Sequence, residues 1–180
     1  RKFNFTDIQF KKVSAFLKKW EAIEGYQQEV YYVGLVMATG CRTSEIYSRR
    51  WGDVSFETNQ LVNIPTKTGE KSIELNPFAI DLLKRLEVLT GRTKWLFPSP
   101  MDKDKHRVNF RDIWQKLKVE SGLPDNTQIR DLRTNFGTQL INGGVEIATV
   151  SALMNHKDIS TTVRHYAHVL KPTQQKALSK

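Results

Sequence analysis

The chain has 180 residues, 39% hydrophobic and 26% charged, a composition typical of one globular domain with a sizeable core. No apolar run approaches a membrane span. Lysine and arginine outnumber aspartate and glutamate by 28 to 19, and the net charge of +9 favours a polyanionic partner, nucleic acid before an anionic membrane. The single cysteine, Cys41, excludes an internal disulfide and fits a reducing compartment.

Two helices are predicted at the start of the chain. Apolar residues at helical spacing, Ile8 among them, predict an amphipathic helix over residues 6–24 that begins with a capping box of Thr6 and Gln9. Residues 27–38 carry few charges, which predicts a second helix that is well buried. Because the sequence begins with arginine instead of methionine, we expect it to be a fragment of a longer protein.

An arginine stands at the entrance of the next predicted helix. Gly40 breaks the chain, and a third helix is predicted over residues 43–50 with Arg42 directly before it. A helix entrance offers free N–H groups to an anion. Glu45 could pair with an arginine and fix its orientation, or could simply be a carboxylate favoured by the helix dipole.

The segment over residues 53–75 has the alternation and turn residues of antiparallel strands. Residues 66–70 predict a tight hairpin loop in which Gly69 suits a positive φ. Lys67 lies in this loop, and its spacing alone indicates only an exposed lysine.

The middle of the chain predicts two further helices joined by irregular segments. One helix follows Asn76, with Phe78 on its apolar face, and the other spans residues 109–120. Residues 95–97 predict a short buried segment. Residues 101–108 predict a polar, basic surface loop.

The last third of the chain places four chemically active residues in a helical region. Arg130 and Arg133 are three residues apart, a spacing that puts two guanidinium groups on one helix face and suits a phosphate. His156 ends a helical pattern, and Tyr166 is expected on a new short helix that Pro172 ends. A tyrosine can be a covalent nucleophile when its phenol is activated.

Each of these four residues also has an ordinary structural interpretation. The arginines could be solvated surface, the histidine a helix-end residue favoured by the dipole, and the tyrosine a half-buried core residue. Taken singly, the ordinary interpretation is favoured for each of them. Their order and spacing together favour a functional site.

The sequence resembles the tyrosine recombinases, the phage integrase family. The family pattern has His-x-x-Arg, a Leu-Gly-His-like turn and, about ten residues on, Thr-x-x-Tyr. The chain has Arg130-Asp131-Leu132-Arg133, Met154-Asn155-His156, and a threonine-rich run ending at Tyr166; the family's first arginine box matches Thr39-Gly40-Cys41-Arg42. The resemblance covers nearly the whole chain and is specific in combination.

This resemblance implies a mainly α fold with a small three-stranded antiparallel β-sheet, of the type found in DNA breaking-rejoining enzymes. It implies a site-specific DNA recombinase or integrase of a phage or other mobile element, acting without metal or cofactor. The implied catalytic residues are Arg42, Lys67, Arg130, Arg133, His156 and the nucleophile Tyr166, supported by Glu45. Lys71 is the second choice for the lysine. The positive cluster is expected to favour the Tyr166 phenolate.

Two positions depart from the family pattern. Arg130 stands where the family usually has histidine, and Asn155 stands at the usual glycine. An arginine stays charged and cannot exchange a proton with the tyrosine. We therefore expect Arg130 to act through its charge alone.

The resemblance also implies partners and a location. It implies double-stranded DNA with attachment or recombination sites, a homotetramer on that DNA, accessory DNA-bending proteins, and an upstream core-DNA-binding domain. The expected location is the cytoplasm of a bacterial host, at its nucleoid. Two alternatives stay open: a non-catalytic DNA-binding module of the same fold, with Arg130 as an early sign of decay, and a type IB topoisomerase-like enzyme.

Overall fold

The computed structural model describes residues 4–66, 69–91, 93–156 and 158–178, without the side chains of Thr66, His168 and residues 171–178. Lys67 is outside the described residues. The helices are α1 Asp7–Glu21, α2 Gln27–Thr39, α3 Thr43–Tyr47, α4 Pro77–Thr90, α5 Arg111–Ser121, α6 Asp131–Asn142, α7 Ile147–Leu153 and α8 Ile159–Leu178, and the strands are β1 Val54–Ser55, β2 Gln60–Thr66 and β3 Gly69–Glu74. A short 3-10 helix covers Trp51–Asp53.

The predicted fold class is confirmed, because the chain is mostly helical with one small antiparallel sheet. The strands pair in the order β1-β2-β3, so each neighbouring pair is consecutive in sequence. Leu61 of β2 lies opposite Ile73 of β3, and both side chains are buried. The sheet is thus anchored to the helical core by one face.

Helix α2 is the centre of the main hydrophobic core. It packs against α1, α4 and α6, and Val33, Leu35 and Val36 are fully buried. A helix that is apolar on most sides stabilises a domain only when other helices surround it. The predicted second helix, buried and with few charges, is therefore confirmed.

A second, smaller hydrophobic cluster joins the last three helices. Its buried residues are Ile141 of α6, Val150 and Met154 of the α7 region, and Tyr166 and Val169 of α8. This cluster holds α8 against α6 and α7, so the position of Tyr166 depends on packing within the C-terminal third.

The third helix is shorter than predicted. It ends at Tyr47 instead of residue 50, because the backbone beyond it pairs with a distant segment. Leu96 donates its N–H to the Arg49 carbonyl, and Arg50 forms a bridge with Trp95. The predicted first helix is also shorter at its end, with Ala22 as its C-cap.

Three other predictions are wrong. The helical spacing places Ile8 and Phe78 on the apolar faces of their helices, but the two residues are 68% and 48% exposed. Pro172 does not end the last helix, since α8 continues to Leu178. A proline removes one backbone hydrogen bond from a helix, and the residues after Pro172 (Gln174, Gln175, Lys176 and Ala177) have high helix propensity.

In the part of the chain that the structure describes, no helix is both long enough and apolar enough to cross a membrane.

Candidate active site

Five of the six residues predicted to act in catalysis line one cleft of about 550 Å³. The cleft lies between the start of α3, the first half of α6 and the region from the end of α7 to the middle of α8. The five residues are Arg42, Arg130, Arg133, His156 and Tyr166. The structure therefore brings together side chains that are more than 120 positions apart in sequence, as Arg42 and Tyr166 are.

Arg133 is the most buried of the three arginines in the cleft. Its Nη1 donates to the Gly40 carbonyl at 2.7 Å, and its Nη2 donates to the Met154 carbonyl and faces His156 Nε2 at 3.2 Å. Burial, followed by the nearby charge of Arg42, lowers the pKa of the Arg133 guanidinium. The positive charge of Arg133 is therefore partly shielded from water where it lines the cleft.

Arg42 and Arg130 are held differently, because both are exposed at the cleft. The Arg42 side chain is 57% exposed, and its Nη1 donates to Glu45 Oε1 at 2.9 Å. Arg130 directly precedes α6, and its carbonyl accepts the Arg133 N–H. The two exposed guanidinium groups can be reached by a large anionic ligand.

Glu45 joins Arg42 to a lysine of the sheet. Its carboxylate accepts the backbone N–H of Arg42 at 2.8 Å and the Nζ of Lys71 at 3.0 Å. Burial raises the pKa of Glu45, but the hydrogen bonds from Arg42 and Lys71 outweigh burial and leave the pKa below its usual value. The expected pairing of Glu45 with an arginine is therefore present, and Lys71 is the added partner that the sequence did not indicate.

The turn that carries His156 explains one departure from the family pattern. The N–H groups of Asn155 and His156 donate to the carbonyls of Ala152 and Ser151, which is a Schellman ending of α7. Asn155 adopts a φ of 50°, in the left-handed region. Glycine suits this position best, and asparagine is among the few other residues that tolerate it.

His156 lies between an arginine and a threonine. Its Nδ1 is 2.7 Å from the Thr162 hydroxyl, and its Nε2 faces Arg133. Burial and the charge of Arg133 lower the pKa of His156 to about 4. The imidazole is therefore neutral at pH 7.

Tyr166 lines the cleft with its ring buried against α6. The side chain is 2% exposed, and a Cβ at Gly137 would lie 2.2 Å from the Tyr166 hydroxyl. Among the described residues, none forms a hydrogen bond with this hydroxyl. Burial raises the pKa of Tyr166, and the charge of Arg133 lowers it by less. The charge of Arg133 favours the phenolate, as expected, but in the protein without DNA burial outweighs it and the pKa of Tyr166 stays above its usual value.

Sequence patterns missed three contributors to this site. Gly137, Thr162 and the carbonyl of Gly40 had no predicted role. An isolated glycine within a helical pattern was a usable signal, because such a residue often has a packing reason. Thr162 belongs to the threonine-rich run of the family pattern, but nothing in that run indicates a contact with His156. The Gly40 carbonyl gave no signal, since its partner Arg133 is distant in sequence.

A comparison with known families assigns the chain. The sequence model described as the phage integrase family matches residues 6–172. This chain belongs to the phage integrase family. The resemblance of the arginine boxes and the tyrosine motif is thus confirmed at the level of the family.

Two relatives in this family are tyrosine recombinases. XerD of Rickettsia bellii (strain RML369-C) is 30% identical over 163 residues, covering 81% of this chain and 53% of that protein. A XerC-like protein of Caldanaerobacter subterraneus subsp. tengcongensis is 23% identical over 204 residues, covering 92% of this chain and 50% of that protein. The chain therefore spans about half the length of these relatives.

Solved structures of integrases and recombinases share the fold. The XerH site-specific recombinase, bound to a palindromic difH substrate in a post-cleavage complex, has a TM-score of 0.80 and 16% identity, covering 97% of this chain and 52% of that chain. The catalytic domain of bacteriophage HP1 integrase has a TM-score of 0.66 and 18% identity, covering 94% of this chain and 89% of that chain.

The integrase-family cleft has the chemistry of an oxyanion site. Fixed guanidinium donors in a partly dry site stabilise negative charge that gathers on the oxygens of a phosphate. Within the described residues, no group of three histidine, cysteine, aspartate or glutamate side chains is arranged to hold a metal ion.

The low pKa of His156 predicts a pH dependence of stability. Between pH 6.5 and about 4, the unfolded chain binds a proton at this histidine and the folded chain does not. The contribution to the free energy of unfolding is complete above pH 6.5 and is lost as the pH falls through this window. Denaturant unfolding at several pH values gives the free energy of unfolding as a function of pH. Between pH 6.5 and about 4, this free energy should change less steeply with pH for His156→Gln than for the native chain. His106→Gln is the control, because His106 packs on Tyr47 and Trp95 outside the cleft. Equal slopes for His156→Gln and the native chain would contradict the assignment.

The contact between Gly137 and Tyr166 predicts the effect of one added methyl group. Gly137→Ala should raise helix propensity by about 1 kcal/mol but force the Tyr166 ring out of place. If Tyr166 attacks DNA as a nucleophile, covalent attachment to DNA should fall at least ~10-fold, which corresponds to about 1.4 kcal/mol in the barrier, while DNA binding is kept. Gly52→Ala is the matched control, because nothing lies within 4 Å of a Cβ at that position. Unchanged attachment in Gly137→Ala would show that Tyr166 does not act from this position.

Proposed function

We propose that this chain is the catalytic domain of a site-specific DNA recombinase or integrase. Tyr166 attacks a DNA phosphodiester, forms a 3′-phosphotyrosyl intermediate and releases a 5′-hydroxyl. The observation that carries the proposal is the presence of the Tyr166 phenol in the same cleft as three guanidinium groups. Family membership supports it, since the relatives are tyrosine recombinases.

The three arginines would bind the scissile phosphate from different depths. Arg42 and Arg130 are exposed and can meet DNA as it arrives. Three N–H groups of Arg133 point at protein acceptors, and among the described residues its other two N–H groups have none. We propose that these two donors bind the non-bridging oxygens, on which charge gathers during attack.

The leaving 5′-oxygen needs a proton, and a lysine is the proposed acid. Lys67 lies in sequence between β2 and β3, and it is the first choice from the family resemblance. Lys71 is the alternative, but its side chain is only 10% exposed and its ammonium is paired with Glu45. This pairing supports a role for Lys71 in holding Glu45, and through it Arg42, and leaves proton donation to Lys67.

The covalent intermediate accounts for the energetics of strand exchange. The phosphotyrosyl ester keeps the energy of the broken phosphodiester, so a 5′-hydroxyl can rejoin the strand without ATP. The guanidinium groups supply the charge stabilisation that metal ions supply in many other phosphoryl transfers. The reaction we propose therefore proceeds without metal or ATP.

The proposal extends to partners and location. The DNA substrate would be a pair of attachment or recombination sites, on which four copies assemble, helped by accessory DNA-bending proteins. The reaction would take place on the nucleoid of a bacterial host. The net charge of +9 supports a DNA partner.

A second candidate is a non-catalytic DNA-binding module. The observation that favours it is Arg130, an exposed arginine at the position where the family usually has histidine. The other five predicted catalytic positions keep the usual residue type, which favours the enzyme.

Covalent trapping tests the proposed function. The protein that contains this chain is mixed, in EDTA, with a pool of nicked duplexes whose sequence around the nick is randomised, and adducts are separated on a denaturing gel. We expect an adduct that forms in EDTA and is absent in Tyr166→Phe. Sequencing the attached DNA would reveal the preferred site.

Other outcomes of this experiment would overturn the proposal. DNA binding without any adduct would identify the non-catalytic module. Adducts with no sequence preference, together with relaxation of supercoiled plasmid, would identify a type IB topoisomerase-like enzyme.

Replacing Arg130 tests whether it acts through charge alone. Arg130→His restores the usual family residue, which can donate a hydrogen bond to the phosphate, and should retain adduct formation. Arg130→Ala removes the donor and should reduce adduct formation by ~10-fold or more, the cost of a charged hydrogen bond of about 1.5–3 kcal/mol. If Arg130→His loses cleavage while its fold and DNA binding are intact, Arg130 has a role that charge does not describe.

A further inference from the structure

The two ring nitrogens of His156 contact side chains of opposite kinds. Nε2 lies 3.2 Å from Arg133 Nη2, and Nδ1 lies 2.7 Å from the Thr162 hydroxyl oxygen. The first partner can only donate hydrogen bonds, whereas the hydroxyl can donate or accept. These partners together decide which nitrogen carries the proton.

The tautomer of His156 follows from its partners. Arg133 must donate, so Nε2 of His156 must accept. A neutral imidazole has one N–H group, which therefore lies on Nδ1 and donates to the Thr162 hydroxyl. Arg133 requires Nε2 to accept, and the Thr162 hydroxyl, by accepting from Nδ1–H, stabilises that tautomer and keeps Nε2 turned to Arg133.

We propose that Thr162 is a positioning residue of the active site, whose hydroxyl fixes the Nδ1–H tautomer and the orientation of His156 and thereby holds the Arg133 guanidinium in place for the phosphate. The part of this inference that concerns DNA cleavage rests on the proposed function. The contact between Thr162 and His156 does not depend on it.

The position of Thr162 suits this role. Its side chain is fully buried in the first turn of α8. Thr162 precedes Tyr166 by four residues, a spacing that places both on the same face of the helix. One face of α8 thus carries the proposed nucleophile and the hydroxyl that orients His156, so a shift of the helix moves both.

The contact also survives a change of protonation at His156. If a bound phosphate favours the imidazolium, Nδ1 still carries a proton and still donates to the Thr162 hydroxyl, while Nε2 gives up its hydrogen bond from Arg133 and donates to the phosphate instead. Thr162 therefore holds the ring in one orientation in both protonation states.

Three substitutions separate this role from a merely structural one. Thr162→Val keeps the shape of the side chain and removes the hydroxyl. Thr162→Ser keeps the hydroxyl and removes the methyl group. Thr161→Val is the matched control, since Thr161 neighbours Thr162 in the same turn and has no contact with His156 among the described side chains. If Thr162→Val does not fold, Thr162→Ala provides the same test.

Two measurements are made on each variant. The ¹⁵N chemical shifts of the His156 ring, recorded without DNA, report the tautomer. The rate of adduct formation on the nicked duplexes reports cleavage. We expect the ¹⁵N shifts of His156 in Thr162→Val to depart from those of an imidazole protonated at Nδ1 alone. Adduct formation should be about tenfold slower, as is common when a group that orients a functional histidine is removed. Thr162→Ser should restore both, and Thr161→Val should change neither.

Two results would overturn the proposal. One is a Thr162→Val ring with the ¹⁵N shifts of the native protein. The other is a native rate of adduct formation in Thr162→Val despite an altered tautomer. Failure of the proposed function can be told apart from failure of the Thr162 proposal. A native protein that forms no adduct contradicts the proposed function. The ¹⁵N spectra test the contact between Thr162 and His156 without DNA.

Discussion

The guanidinium of Arg133 ties together the three parts of the chain that make the cleft. It binds the carbonyl at the end of α2, the carbonyl at the end of α7, and the ring of His156. Removing an arginine from water is costly, and the cost is offset here because several acceptors surround it. A charge held in this way acts more strongly on a phosphate than one in open water, and it needs no rearrangement when the phosphate arrives.

The fold delivers the acceptors that hold Arg133. Helix α2 is the buried centre of the main core, and it ends at Gly40 with a φ of 62°, which turns the Gly40 carbonyl toward the cleft. A Cβ at Gly40 would lie 2.3 Å from the Phe136 ring, so α6 can approach only because glycine is present. At the other end, the left-handed Asn155 closes α7. The Arg133 side chain therefore connects the end of this core helix to the candidate active site.

Local patterns predicted much of this arrangement. The buried α2, the antiparallel hairpin and the order of the arginine, histidine and tyrosine motifs depend on residues near one another in sequence. The misassigned features depend on distant partners: the early end of α3 depends on Trp95 and Leu96, and the exposure of Ile8 depends on which helices reach α1. The raised pKa of Tyr166 follows from its packing on Gly137, which no spacing reveals. Asn155 looked like a departure from the family, yet its backbone conformation is one that asparagine tolerates.

The central claim is that the phenol of Tyr166 becomes covalently bound to DNA. The most direct measurement is mass spectrometry of the protein after trapping on nicked duplexes, digestion to peptides and treatment with nuclease. The account predicts a nucleotide attached through phosphate to the peptide that contains Tyr166, by a bond that survives acid. Attachment to another side chain, such as the neighbouring His165, whose phosphoryl bond is labile in acid, would contradict it.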